Sequence, residues 1–284
     1  MSVCSVRTVR RGPLAAVLLT AGLLLTGCGG VGDDTRTADK AGSAPGGTAV
    51  SDKDSISAES RSGGGGSGGA GGSGIPGLAG AGARAVVPQE IPGLGRRTRA
   101  EISPETTQAV VVTGADRDSN ESSVLVYERD PVNGWVPVTA VWPSHNALRG
   151  WTDDHDQGDL RSPIGVFTLT DAGGRLPDPG TKLPYDEGPA FTVSGEGFEG
   201  EPLEGSFDYV VAINYNRVPG TSPLDWTRPL GMEKGGGIWI HVDHGGPTQA
   251  CVSVPQERME ELLHILDPAK RPVVVMGDEE SLSH

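Results

Sequence analysis

Short apolar runs rich in β-branched residues recur through the second two-thirds of the chain. Residues 108–113 and 122–127 read as strands, and Asp130-Pro131-Val132-Asn133-Gly134 reads as a turn before a strand over 135–141. Further runs at 164–170, 190–193, 209–214 and 238–242 follow, with 272–276 closing the series. Clusters of Gly, Pro and Asp at 176–183 and 195–205 separate them. Many short strands with frequent turns predict a mainly β domain, a sandwich or a barrel. One stretch changes period: Met259, Leu262, Leu263 and Leu266 fall at i, i+3, i+4 and i+7 and predict a single helix. Ser253-Val254-Pro255-Gln256 reads as its capping box and Asp267-Pro268 as its end. His264 lies off the apolar stripe beside Glu257, Glu260 and Glu261, as a solvated surface histidine would.

The N-terminal third shows none of this patterning. Arg7, Arg10 and Arg11 precede an apolar run over 14–25, which is too short to anchor in a bilayer and reads as an export signal. Its end, Leu25-Thr26-Gly27-Cys28, resembles the lipobox of bacterial lipoproteins, which implies a diacylglycerol on the Cys28 sulfur. Residues 28–100 then read as a disordered tether: 12 of the 22 residues over 61–82 are glycine, and such a segment buries too little to offset its ordering entropy. As a flexible coil it spans about 50 Å. The predicted organisation is a signal over 1–27, a tether over 28–100 and a folded domain over 101–284.

Charge narrows the partners. From residue 101 onward there are 30 Asp and Glu against 12 Lys and Arg, a formal charge of −18. A surface this acidic repels nucleic acid and anionic lipid, so membrane attachment is expected through the Cys28 lipid alone.

The chemistry concentrates between residues 238 and 253. Signal removal takes Cys4 and lipidation occupies Cys28, which singles out Cys251 as the thiol of the mature folded part. A single exported cysteine is buried and inert, bonded between molecules, or reactive. Two features favour reactivity. Its predicted place before a helix would expose it to the positive end of the macrodipole, and the backbone N–H groups of Ala250 and Cys251 could form an oxyanion hole. Strand alternation places Ile238, Ile240 and Val242 on one face, with Trp239, His241 and Asp243 on the other. His241 thus points away from the aliphatic side, ten residues ahead of Cys251 across a Gly-Gly-Pro turn. It is a candidate base, and a structural histidine bonded to a carbonyl is the alternative.

The stretch Ile238-Trp239-Ile240-His241-Val242, a short turn, then Thr248-Gln249-Ala250-Cys251-Val252-Ser253 resembles the active-site block of YkuD-type L,D-transpeptidases. Gly158-Asp159-Leu160-Arg161-Ser162-Pro163-Ile164-Gly165 and the pair Tyr215-Asn216 are similar to two further blocks of that family, in the same order. The resemblance implies an L,D-transpeptidase-like β-sandwich with one helix after the nucleophile. It implies Cys251 as nucleophile and His241 as base, with Tyr215, Asn216, Trp239, His244, Thr248 and Ser253 around the substrate. The implied reaction is acyl transfer through a Cys251 thioester on peptidoglycan stem peptides, without metal or organic cofactor, by a monomer outside the cytoplasm.

The chain departs from the family at Gln249, where many members carry histidine, at Ala250, usually glycine, and at Ser253, often arginine. An L,D-carboxypeptidase of the same mechanism and a non-catalytic wall-binding module are the alternatives. Two other patterns carry less. His241-x-Asp243-His244 has the residue types of a metal site, but strand geometry is expected to send the two histidines to different faces. The run from Asp153 to Asp159 has the acidity of a calcium loop without its closing Glu, and reads as a solvated acidic loop or lid.

Overall fold

Eight strands turn their alternating apolar residues toward one core in the computed structural model, which describes residues 89–284. In chain order the strands are β1 (Gln108–Gly114), β2 (Glu121–Asp130), β3 (Gly134–Pro137), β4 (Trp142–His145), β5 (Trp151–Thr152), β6 (Ser162–Pro163), β7 (Gly165–Gly174), β8 (Tyr185–Glu187), β9 (Val210–Ile213), β10 (Trp239–Val242), β11 (Val252–Val254) and β12 (Val273–Asp278). Hydrogen bonding runs from β1 through β12, β7, β9, β10, β11, β4 and β2, and β2 pairs again with β1. The circuit is closed, so these strands leave no open edge to template aggregation. Strands β3 and β8 attach to β2 and β7, and β5 pairs with β6 separately. The mainly β expectation holds, and the ladders form one continuous ring.

Period-two alternation explains what lies inside. Val110 and Val112, Val124 and Val126, Val211 and Ile213, Ile240 and Val242, Val252 and Val254, and Val274 and Met276 all enter the same core. Helix α2 (Gln256–Ile265) adds Met259, Leu262 and Leu263, the stripe that its sequence predicts. Its start differs from the expectation. Pro255 is the N-cap, and Ser253 lies within β11, where Val252 and Val254 pair with Ile240 and Val242. The ladder claims the residues that the capping box would have used. His264 is exposed as expected, yet both ring nitrogens reach backbone carbonyls, Nδ1 that of Glu260 at 2.7 Å and Nε2 that of Pro179 at 2.8 Å.

The outer face carries two further apolar clusters. One gathers Ala109, Val111, Val273 and Val275 with Ile91, Leu94, Trp135 and Leu282. The domain therefore begins before residue 101. Gln89 bridges to Gly134, helix α1 (Arg96–Glu101) follows, and Gly95 N–H donates to the Leu282 carbonyl at 2.8 Å. Composition hid this segment, since two aliphatic side chains among Arg, Gly and Pro carry no periodicity. Ile91 and Leu94 are 2% and 5% exposed, and burying such a side chain contributes about 1.5–3 kcal/mol. A chain starting at Glu101 is expected to melt roughly 10 °C below one starting at Gln89. Equal calorimetric melting temperatures would show that the segment adds nothing. The signal, Cys28 and most of the tether lie outside the described residues.

The other outer cluster joins Val210 and Ala212 of β9 to Trp239, Cys251, Phe191 and Phe207. Residues 190–193, read as a strand from sequence, form no strand; Phe191 is instead a buried plug over β9 and β10. A buried ion pair ties the loop after β9 to β7. Arg217 Nη1 lies 2.9 Å from Asp171 Oδ2, which also accepts the Gly220 N–H at 2.9 Å. Arg217 Nη2 donates to the Thr221 carbonyl at 2.6 Å.

Candidate active site

Parallel pairing of β10 with β11 aligns His241 with Ser253, and Cys251 stands one residue ahead of β11 on the same outer face. The Trp239 N–H lies 3.3 Å from Cys251 Sγ, and the Gly237 carbonyl oxygen lies 3.9 Å from it. Cys251 is fully buried. The other two cysteines, Cys4 and Cys28, lie outside the described residues. Full burial withdraws the sulfur from solvent. The expected help from the α2 dipole is absent as well, because β11 and Pro255 separate Cys251 from the helix.

His241 sits where alternation placed it, outside the aliphatic core and edge-on to Phe207 at 5.5 Å. Its Nδ1 lies 2.8 Å from the Val242 carbonyl, which fixes the N–H on that nitrogen and leaves Nε2 as the basic one. Burial, helped by neighbouring His244, pushes its pKa down to about 4. The ring is thus neutral near pH 7, as a proton acceptor must be. Linkage makes this a stability statement: a histidine held neutral contributes stability that is complete above pH 6.5 and lost as pH falls toward 4. The melting temperature is expected to drop across that window, by up to about 3 kcal/mol of stability from this ring. His241→Asn should flatten the drop; an unchanged pH profile would show that the ring contributes none of it.

Beyond the strand, Asp243 accepts hydrogen bonds from His145 Nδ1 at 2.8 Å and Ser253 Oγ at 2.7 Å. Burial pushes the Asp243 carboxyl up, but these two bonds outweigh it and hold the pKa at about 2. The hydrogen bond to Asp243 raises the His145 pKa. His145 is the Cα partner of Ser253 across the β4–β11 pairing, which is how a residue so distant in sequence reaches the site. Ser253 thus braces Asp243 and does not cap the helix.

His244 departs from the expected geometry. It stacks on His241 with centroids 5.8 Å apart and planes 11° from parallel, because β10 ends at Val242 and the turn folds the next histidine back. Its Nδ1 is 3.2 Å from Glu201 Oε1, close enough for an ion pair though not aligned as a hydrogen bond. Burial lowers the His244 pKa, and Glu201 opposes that. Both histidines line a cavity of about 10 Å³ with Val193, Leu203, Ser206, Phe207, Thr248 and Gln249. That volume suits about one water.

The remaining predicted residues divide. Trp239 packs on Phe207 and Phe191, with centroids 5.0 and 5.8 Å away, and walls the sulfur. Thr248 Oγ1 donates to the Cys251 carbonyl at 2.6 Å, and Ala250 is buried in the bend between them. Asn216 is spent on its own loop: Nδ2 donates to the Gly231 and Gly235 carbonyls and Oδ1 accepts from Leu230 N–H. Tyr215 likewise donates to the His155 carbonyl at 3.2 Å. Both side chains are thus engaged with the backbone of neighbouring loops. The Asp153–Asp159 run is a mostly exposed acidic loop as expected, and Lys234 ties it down through Asp154 and Asp156 at 2.6 and 2.9 Å. Among the described residues no group of three or more His, Cys, Asp or Glu is arranged to hold a metal ion.

Three contributors escape the sequence reading. His145 ends an apolar-poor strand containing Pro143, and Glu201 lies in a Gly/Glu-rich loop that reads as a spacer. Ser162, whose Oγ donates to the Cys251 carbonyl at 3.3 Å, was visible only as part of a longer block. No family model matches the chain, and neither a curated protein nor a solved structure matches it.

Proposed function

We propose that this protein is a cysteine acyltransferase of the L,D-transpeptidase kind, acting on peptidoglycan stem peptides from a lipid anchor at Cys28. The observation that carries the reading is that the β10–β11 register puts Cys251 and His241 on one outer face, with the imidazole held neutral by burial. In the reduced enzyme, His241 Nε2 takes the thiol proton and Cys251 attacks the carbonyl joining the third stem residue to the terminal D-alanine. The C–N bond breaks, and the same imidazole returns a proton to the leaving amine. An amine of a second stem then attacks the thioester to give a cross-link; attack by water gives a carboxypeptidase. Backbone N–H groups at Ala250 and Cys251 would hold the oxyanion. An L,D-transpeptidase-like fold, a monomeric state and an extracytoplasmic location complete the proposal.

A non-catalytic wall-binding module is the second reading, favoured by the full burial of Cys251. Incubating the reduced protein with tetrapeptide muropeptides and following products by mass spectrometry separates the two. Loss of D-alanine with new cross-linked dimers supports the enzyme; unchanged muropeptides that still co-sediment with the protein support the module.

A further inference from the structure

The segment over the site carries a carboxylate set deliberately close to the second histidine. Residues 193–206 fold back on themselves, with Glu196 bridged to Pro202, and contribute Val193, Leu203 and Ser206 to the lining above His241 and His244. Glu201 points inward from this flap, with its side chain 10% exposed. Two glycines make the room: a Cβ at Gly197 or at Gly246 would overlap the Glu201 carboxylate. The Glu199 N–H donates to Glu201 Oε2 at 2.8 Å, while Oε1 faces His244 Nδ1. A buried carboxylate is costly unless something polar answers it, and the His244 ring is the group placed to do so.

Resting on the acyl-transfer reading, we propose that His244, oriented by Glu201, is the base for the second half-reaction, and that closing the flap delivers that carboxylate. Cys251 and His241 suffice to form the thioester. Resolving it by an amine requires a proton acceptor on the incoming side. The neutral amine attacks the thioester carbonyl, a C–N bond forms, and the C–S bond breaks with Cys251 leaving as thiolate. The ammonium proton passes to His244 Nε2, the nitrogen left basic when Nδ1–H turns to Glu201. The resulting imidazolium sits beside Glu201 and returns its proton to solvent as the flap opens. Glu201 is a positioning residue and does not touch the substrate. The groups facing His244 are Glu201 from the flap, Asp243 and His241 from β10 and its end, and His145 from β4. Burial is the largest influence and keeps the ring neutral near pH 7, with Glu201 opposing it.

The test measures the two halves separately by quenched-flow mass spectrometry on the reduced full chain. Acyl-enzyme formation is read with a stem tetrapeptide, and its decay with an amine-bearing stem peptide. Glu201→Gln and His244→Ala are expected to slow decay at least tenfold more than formation. In the wild type, decay should rise with pH through the His244 pKa. Glu201→Gln removes a group that raises this pKa, so the limb should move to lower pH while its plateau falls; loss of mere flap packing would not move it. Gly246→Ala, which displaces the carboxylate without removing it, should reproduce the decay defect if Glu201→Gln folds poorly. Equal slowing of both halves, or an unmoved pH limb, overturns the assignment. Absence of any acyl-enzyme in the wild type overturns the functional reading instead, and this proposal with it.

Discussion

Replacing Cys251 with serine should abolish covalent labelling of the reduced protein by a carbapenem, whose strained ring offers an activated carbonyl. Intact-mass spectrometry should show one adduct on the wild type and none on Cys251→Ser. His241→Ala should slow adduct formation about a hundredfold or more at pH 7, the usual contribution of a positioned base. Acidification should have a similar effect in the wild type as the ring is protonated below its ordinary range. An adduct that survives Cys251→Ser would move the chemistry elsewhere in the chain. A wild type that takes no adduct after reduction would favour the wall-binding reading.

The second large effect concerns folding alone. Asp171 and Arg217 are 3% and 6% exposed, and their pairing satisfies a guanidinium that has almost no access to water. Removing one partner leaves the other charge buried, at a cost of about 3–5 kcal/mol. Asp171→Ala should therefore lower the calorimetric melting temperature by roughly 10 °C or more. Asp171→Ala/Arg217→Met should recover much of the loss, because an apolar pair avoids the stranded charge. If the double variant melts no higher than the single one, the damage comes from lost loop hydrogen bonds and not from the orphaned cation.

The parts of the fold legible in sequence were those with a strict period. The alternation over 238–242 placed His241 and Trp239 outside the core, and the 3.6 period over 259–266 gave α2. Competing local signals were harder to read. Ser253-Val254-Pro255-Gln256 satisfied a capping rule, but Val252 and Val254 were worth more to the ladder with β10. Phe191 looked like strand and serves as a plug, since one aromatic ring can fill a hole without backbone pairing. His145, Asp243 and Glu201 meet only through tertiary contacts between β4, the end of β10 and the flap. No spacing along the chain encodes that meeting. The stacking of His241 on His244 likewise depends on where a strand stops, and strand ends are set by the turn's geometry more than by its composition.

The closed circuit also governs when this chain can become a protein. Residue 109 is the Cα partner of residue 273, so the ring stays open until nearly the last residues have emerged. Local hairpins such as β2–β3 can form early, but the seam between first and last strands joins distant segments. Such high contact order slows folding to the millisecond-to-second range or beyond. A seam that cannot close until the C-terminal strand arrives keeps the chain open through most of its synthesis, which is the state that the proposed export would require.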